Sequence, residues 1–264
     1  PTGLGVLTSV FRKESDGSRM AAFNSLAAGL ERENHGSGLG RFGRDSRETE
    51  CSITAVAMLW LTQRWLLSSN VASRRKAVGR LCDAPHPRAL GALRKAIKDE
   101  DAEVRRLAAT ALGKLEEPNR VEPLLEALHD RDADVLKAAI LALKRVADER
   151  VPAALVSLLR HPNAGVRGGA AQVLEFIGWR PGKREDEMWF LVAKGQCSRA
   201  AAFGVAALLP LEMVLNSGPY SLCVAAVKGL AEINDQRTVR PVLKARKSED
   251  PAVCAAAVDA LAQV

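Results

Sequence analysis

One phrase returns along this chain at a fixed step of 31 residues. Its valines Val104, Val135 and Val166 are successive starts, and the same step separates Leu222 from Val253. A period of about 20 to 50 residues indicates a supersecondary unit that cannot bury its own apolar face and must stack on its neighbours. Apolar residues make up 47% of the chain and aromatic residues only 4%, which favours closely packed helices rich in Ala, Leu and Val. The sequence therefore predicts an all-α fold, an α/α solenoid (superhelix) of helical-hairpin repeats.

Each unit is predicted to contain two helices with chemically defined ends. Pro123 and Pro152 fit the first turn of one helix, where a missing N–H group costs nothing. Asp101, Asp132 and Asn163 precede the other helix and are expected to cap its amino end. The capped helices carry one continuous apolar stripe at helical spacing, at positions 104, 107, 108, 111, 112 and 115 and again at 135, 138, 139, 142, 143 and 146. This stripe predicts the packed spine of the array.

The composition divides the chain near residue 50. Residues 1–50 are expected to hold a short helical segment followed by a Gly/Arg/Ser-rich linker, because such a composition buries too little apolar surface to fold. A helix at Cys51–Ser68 begins the second part, residues 51–264. The repeats start with Val71–Leu81, the end of which is matched against Ala111–Leu115.

The regular step is broken once. The interval from Val166 to Leu222 comprises one whole unit and most of the length of a second. The sequence therefore predicts an insert at about 178–196 that adds helices while preserving the stack. Trp179 and Trp189 flank a charged loop there and are expected to anchor the insert to the stack.

The repeated phrase resembles a known family. Asp-x-x-Val-Arg-x-x-Ala-Ala-x-Ala-Leu-Gly followed by Pro-Leu-Leu is similar to the HEAT-like repeat of the type first recognised in phycobilin lyase subunits, over about Val71–Val264. The segment Ile177–Gly195 resembles an interruption seen in some bacterial members. The resemblance implies a five- or six-unit solenoid, and one implied function is that of an auxiliary subunit of a phycobilin lyase-type enzyme.

No catalytic constellation is visible in the sequence. The four histidines, His35, His86, His129 and His161, are not followed by Glu as they are in the metal sites of HEAT-repeat hydroxylases. Gly-x-Ser-x-Gly, Walker and CxxC motifs do not occur, and the carboxylates of Asp101 and Asp132 are explained by capping. We therefore expect no catalytic activity, no metal and no cofactor.

The cysteines favour a reducing compartment, and hence the cytoplasm. They are sparse and unpaired in spacing, at Cys51, Cys82, Cys197, Cys223 and Cys254. Cys223 and Cys254 occupy the same repeat position, where each is expected to be a small residue near the seam between units. The most apolar run, Ile53–Leu67, is too short to span a bilayer, so no membrane span is predicted.

The residues left to carry function lie on the outward side of the capped helices, which lines the concave face in HEAT folds. The candidate partner-binding residues are Lys76, Arg80, Arg106, Lys114, Lys137, Leu141, Lys144 and Arg145, followed in the next unit by Gln172, Glu175 and Phe176. They predict a non-catalytic protein–protein interaction scaffold with a basic stripe. The alternative is binding of a nucleic acid or another polyanion, consistent with a net charge of +7.

The last helix raises a separate expectation. Val253–Val264 is a capped helix that no Pro-Leu-Leu phrase follows, so Val258 and Leu261 would lie open. This pattern predicts either a fragment of a longer protein or an end that docks on another protein or on a second copy.

Overall fold

A computed structural model describes residues 62, 64–83 and 86–262. All of them belong to the unit Ala55–Val264. The N-terminal segment and linker of residues 1–50 and most of the helix expected at Cys51–Ser68 lie outside the described residues. The division of the chain near residue 50 therefore stays a prediction.

The described residues are helical and contain no strand, which confirms the all-α solenoid. Four 3-10 turns lie at Pro87–Ala89, Pro118–Arg120, Gly204–Ala207 and Gln236–Thr238. The thirteen α-helices of the described residues are α1 (Val71–Asp83), α2 (Leu90–Ala96), α3 (Ala102–Lys114), α4 (Val121–Ala127), α5 (Ala133–Leu143), α6 (Arg150–Leu158), α7 (Ala164–Phe176), α8 (Arg184–Ala193), α9 (Cys197–Ala201), α10 (Leu208–Ser217), α11 (Tyr220–Ile233), α12 (Val239–Ala245) and α13 (Pro251–Leu261).

Two rows of helices build the stack. The second helices of the units pack side by side in the order α1, α3, α5 and α7, and α9, α11 and α13 likewise pack side by side. The first helices, such as α4 and α12, pack against the second helices of their own units. The buried side chains come mainly from the apolar stripe; Val104, Val135 and Val166 are each fully buried.

The helix ends lie where the sequence places them. The side chains of Asp101, Asp132 and Asn163 accept hydrogen bonds from backbone N–H groups in the first turns of α3, α5 and α7. Pro123 and Pro152 are the third residues of α4 and α6, where a proline removes no intrahelical hydrogen bond. The predicted caps and first-turn prolines are confirmed.

The first unit fits the array in a different register from the expected one. The starts of α1 and α3 are separated by one full step of the repeat, and so are their ends. Leu81 therefore corresponds to Leu112, and both are buried, whereas the phrase match had aligned Leu81 with Leu115. Since Lys76 and Arg80 then correspond to the non-basic positions 107 and 111, the similarity of the short phrases was misleading.

The extra residues after α7 take the form of a shortened repeat. The regular step continues from Val166 to Cys197, the first residue of α9, and the following step, to Leu222, is six residues shorter. Helix α9 is only five residues long. It packs closely on α11, since a Cβ atom on Gly229 would lie 2.9 Å from the Cys197 carbonyl oxygen.

Candidate functional site

Buried arginines cross the seams between units. The Arg105 guanidinium donates to the Asp130 carboxylate at 2.7 and 3.0 Å, and to the carbonyls of Asp99 and Glu100 at 2.9 and 3.0 Å. Arg74, one unit earlier, makes the same set of bonds with Asp99 at 2.7 and 2.9 Å and with two carbonyls. We call the position of Arg74 and Arg105 the ladder position.

The ladder pairs are satisfied electrostatically. The hydrogen bond from Asp130 raises the pKa of Arg105. Burial alone would raise the pKa of Asp130, but the hydrogen bonds from Arg105 and from the Asp132 backbone more than offset it, so the pKa of Asp130 is lowered. Both side chains are less than a tenth exposed, so these charges hold the stack and do not face a partner.

The ladder position changes along the array. It holds Leu136 in the third unit and Arg167 in the fourth, where the guanidinium donates to the His161 and Pro162 carbonyls and to Ser217 Oγ. No carboxylate joins Arg167 among the described residues, and burial lowers its pKa.

The two cysteines expected at the seam also occupy the ladder position. Cys223 Sγ lies 3.5 Å from the Gly218 carbonyl oxygen, and Cys254 Sγ lies 3.0 Å from the Ser248 carbonyl oxygen. Burial raises the pKa of Cys223, so its thiol is protonated near neutral pH. The prediction of a small residue near the seam is confirmed for Cys223, which is buried there.

Much of the expected basic stripe is neutralised or occupied locally. Arg106 pairs with Glu103 at 2.6 Å and Lys137 pairs with Asp134 at 3.0 Å, both one turn earlier on the same helix. Lys114 Nζ donates to the Cys82 carbonyl at 2.8 Å and so caps the end of α1.

The two candidate residues on α1 have different surroundings. Lys76 is exposed, whereas the Arg80 guanidinium lies over the Trp65 ring, 5.0 Å from its centroid. A cation over an indole is a stabilising contact within the fold. These positions do not extend the row formed by Arg106 and Lys137.

A mixed apolar and cationic surface remains where α5 and α7 adjoin. Leu141 and Phe176 are each 61% exposed, and Lys144 Nζ lies 4.2 Å from the centroid of the Phe176 ring. Arg145, the neighbour of Lys144, is also exposed. We call Leu141, Lys144, Arg145 and Phe176 the α5–α7 patch.

The tryptophans of the shortened repeat serve packing. Trp189 is buried, 6% exposed, and Arg160 of the preceding unit lies 5.9 Å from its ring centroid. Trp179 meets Phe190 edge to face with centroids 5.5 Å apart. They anchor this segment to the stack, as the sequence predicts.

The last helix, α13, is partly open to solvent. Val258 is 54% exposed, and Leu261 packs partly on the core. Docking at this helix stays a prediction.

Within the described ranges, no group of three or more His, Cys, Asp or Glu side chains is placed to hold a metal ion. None of the described helices has both the length and the apolar character to cross a membrane.

Comparison with known proteins supports the repeat architecture. The family model for HEAT repeats matches residues 58–144 and 121–186. At the level of its fold, this chain is a HEAT-like repeat protein. The matched ranges take in α1 through α7 and continue into α8, so they include the ladder arginines and the α5–α7 patch.

Solved structures similar to this HEAT-like chain have low identity to it. Human deoxyhypusine hydroxylase in complex with glycerol has a TM-score of 0.41 at 16% identity, covering 80% of this chain and 97% of that chain. The complex of CpcE and CpcF of phycocyanin lyase from Nostoc sp. has a TM-score of 0.38 at 23% identity, covering 77% and 75%. A designed armadillo repeat protein in complex with the peptide (KR)4 has a TM-score of 0.38 at 18% identity, covering 78% and 98%. No curated protein sequence matches the chain.

Proposed function

We propose that this HEAT-like chain is a non-catalytic interaction module that binds a partner protein through the α5–α7 patch. The observation that supports it is the exposure of two large apolar side chains, Leu141 three residues before Lys144 and Phe176, whose ring Lys144 Nζ contacts. Solvent exposure of large Leu and Phe side chains is unfavourable, and burial of a Leu or Phe side chain is worth about 1.5–3 kcal/mol. Aromatic side chains are also frequent anchors of protein interfaces.

The charges of this face favour a protein over a polyanion. A nucleic-acid backbone requires several cations that are free to neutralise successive phosphates. Arg106 and Lys137 are instead paired with acids on their own helices. The exposed cations Lys144 and Arg145 beside two apolar side chains suit a segment that carries an apolar side chain next to a carboxylate.

The test is a capture experiment with matched variants. Leu141→Ala/Phe176→Ala removes the apolar part of the patch, and Leu209→Ala on α10 is the control, because Leu209 is 62% exposed and lies outside it. Partners captured by the wild type and identified by mass spectrometry should be lost with the double variant and kept with the control. The affinity of each such partner, measured by calorimetry, should fall at least tenfold. Capture of the same proteins by all three forms would exclude the patch.

Two charge-reversal variants distinguish binding of a partner protein from binding of a polyanion. Lys144→Glu/Arg145→Glu should weaken binding of the partner protein, whereas Arg106→Glu/Lys137→Glu should leave that binding nearly unchanged. A gel shift with labelled DNA at low salt is run alongside. Retardation of the DNA that both reversals abolish would favour nucleic-acid binding over the proposed function.

A further inference from the structure

A cavity opens at the seam between α10 and α12. Its volume is about 440 Å³, which is within the size range of small-ligand sites. The amino ends of α11 and α13 close it on one side. The lining residues used below are Glu212, Gly218, Tyr220, Cys223, Lys244 and Ser248.

This seam corresponds to the one that Arg105 crosses. Counting three regular steps and the one shortened step, Cys223 stands at the position of Arg105 and Ser248 at the position of Asp130. The local bonds agree, because Ser248 Oγ accepts from the backbone N–H of Asp250 as Asp130 Oδ1 does from that of Asp132. At this seam a thiol and a hydroxyl therefore stand where the earlier seam has a guanidinium and a carboxylate.

The backbone acceptors of the arginine site remain. In the earlier seam the carbonyls of Asp99 and Glu100 accept from Arg105. The Gly218 carbonyl is the counterpart of the Glu100 carbonyl, and it lies 3.5 Å from Cys223 Sγ. A thiol is a weak donor, so a stronger donor reaching this carbonyl would gain a better hydrogen bond.

One acidic and one aromatic side chain line the cavity. Glu212 lines it at the position that Arg94 holds in the earlier unit. The charge of Asp250 adds to burial in raising the pKa of Cys223, so its field reaches the ladder position. Tyr220, 54% exposed, also lines the cavity.

Two lysines also line the cavity. Lys244 Nζ is held by Asn216 Oδ1 at 2.6 Å, and Lys247 is exposed at the rim. They outnumber Glu212, the one acidic side chain in the lining. Selectivity for a cation must therefore come from specific contacts with the Gly218 carbonyl, the Glu212 carboxylate and the Tyr220 ring.

We propose that this cavity, the α10–α12 socket, binds an arginine side chain presented by a partner protein. The guanidinium takes the place that Arg105 holds in its own seam, donates to the Gly218 carbonyl and the Glu212 carboxylate, and stacks on Tyr220. A planar guanidinium suits this site better than an ammonium because it can bond at its edge and stack through its face. The socket is separate from the α5–α7 patch and does not depend on it.

The test uses the isolated side chain as a probe. N-acetyl-arginine amide is titrated into the isotope-labelled protein while the amide signals of Gly218 and Tyr220 are followed by NMR. N-acetyl-citrulline amide, neutral and nearly the same shape, should bind at least tenfold more weakly. N-acetyl-glutamate amide tests whether Lys244 and Lys247 make the cavity a site for anions instead. Tighter binding of this probe than of the arginine probe would overturn the proposal.

Two variants confirm the location. Cys223→Arg/Ser248→Asp introduces an internal guanidinium–carboxylate pair at this seam, so it should raise the Tm and weaken binding of the arginine probe at least tenfold. Glu212→Gln should weaken binding of the probe with little change in Tm, and it keeps the proposal testable if the double variant does not fold. Unchanged binding in Glu212→Gln would contradict the socket. Leu141→Ala/Phe176→Ala should bind the probe as the wild type does, whatever becomes of the proposed function.

Discussion

Arg105 and Asp130 show how strongly the worth of a charge depends on its surroundings in this chain. Their side chains are 8% and 9% exposed and bond at 2.7 Å. Lys98 and Glu126, between the same two units, also form an ion pair, but their side chains are 67% and 46% exposed. Removing one partner of a buried pair leaves an uncompensated charge, whereas an exposed pair contributes little.

Asp130→Ala should therefore destabilise the protein far more than Glu126→Ala. We expect a loss of about 3–5 kcal/mol in the free energy of unfolding for the first and at most about 1 kcal/mol for the second. Urea denaturation followed by circular dichroism measures both. Equal losses would show that the buried pair is not held as described.

The pair of Arg105 and Asp130 also makes the stability of the protein depend on pH. The pKa of Asp130 is lowered in the folded state, so its contribution is present above the unfolded pKa, about 3.9, and is lost as pH falls through the folded value. Asp130→Asn lacks this titration. The difference in Tm between wild type and Asp130→Asn should be largest near pH 6 and shrink below about pH 4. A difference that grows towards low pH would contradict the assignment.

At this scale the sequence identified the caps but not the ladder. Asp101 and Asp132 are recognisable because they stand just before an apolar run. Arg105 carries no such signal, because an arginine one residue after a buried valine looks like any exposed helix residue. Its meaning comes from Asp130 in the following unit, and only the recurrence of the same spacing in Arg74 and Asp99 could have revealed it.

At the scale of elements, α3 and α5 approach closely where a glycine faces an alanine. A Cβ atom on Gly113 would lie 2.7 Å from Ala142 Cβ and 2.9 Å from Ala142 Cα. The second of these atoms belongs to the backbone and cannot swing away. The row of second helices thus depends on a missing side chain at this crossing.

Gly113→Ala should destabilise the protein by about 1–3 kcal/mol through overpacking. Gly91→Ala in α2 is the matched control, because a Cβ there meets no atom within 4 Å, and alanine is the better helix former by up to about 1 kcal/mol. Thermal unfolding should move in opposite directions for the two variants. A neutral Gly113→Ala would mean that the helices separate freely.

Element ends were more predictable than element register. Asp caps fix the amino ends of α3 and α5 through local hydrogen bonds, and first-turn prolines mark the starts of α4 and α6. The sequence displays both signals directly. The register of α1 depends instead on which side chains pack on α3, and the phrase Val71–Leu81 suggested a false alignment. The five-residue length of α9 likewise depends on packing against α11.

For the repeat stack as a whole, stability is a sum of units and seams. The seam between the α2–α3 unit and the α4–α5 unit contains the Arg105 pair, whereas the seam between the α10–α11 unit and the α12–α13 unit contains Cys223 and the cavity of about 440 Å³. A seam with fewer buried contacts opens at lower free energy. The described repeats are therefore expected to differ in local stability.

Native-state hydrogen exchange should be faster in α12 than in α4. In Cys223→Arg/Ser248→Asp, exchange in α12 should slow while that in α4 stays unchanged, because the restored pair acts on one seam only. Mass spectrometry of peptic fragments resolves the two helices. Slower exchange in α12 than in α4 of the wild type would contradict this account of the seams.

The architecture of the stack could be predicted from its period, but its candidate sites only in part. Leu141, Lys144 and Arg145 were found because they follow the exposed side of a helix whose buried side is unmistakable. The neutralisation of Arg106 and Lys137 depends on rotamers, and the cavity beside Cys223 depends on what two neighbouring units both lack. The cavity is not visible in a single repeat, whereas the acids that pair with Arg106 and Lys137 stand three residues earlier on the same helices.

The shortened step after Cys197 also bears on how such a gene can change. Exchange of coding segments between equivalent repeats preserves function only when the copies are in phase. A crossover across Cys197 made at the regular 31-residue spacing would misalign the joined helices by six residues. Changes in repeat number are therefore expected to occur on one side of the shortened repeat rather than across it.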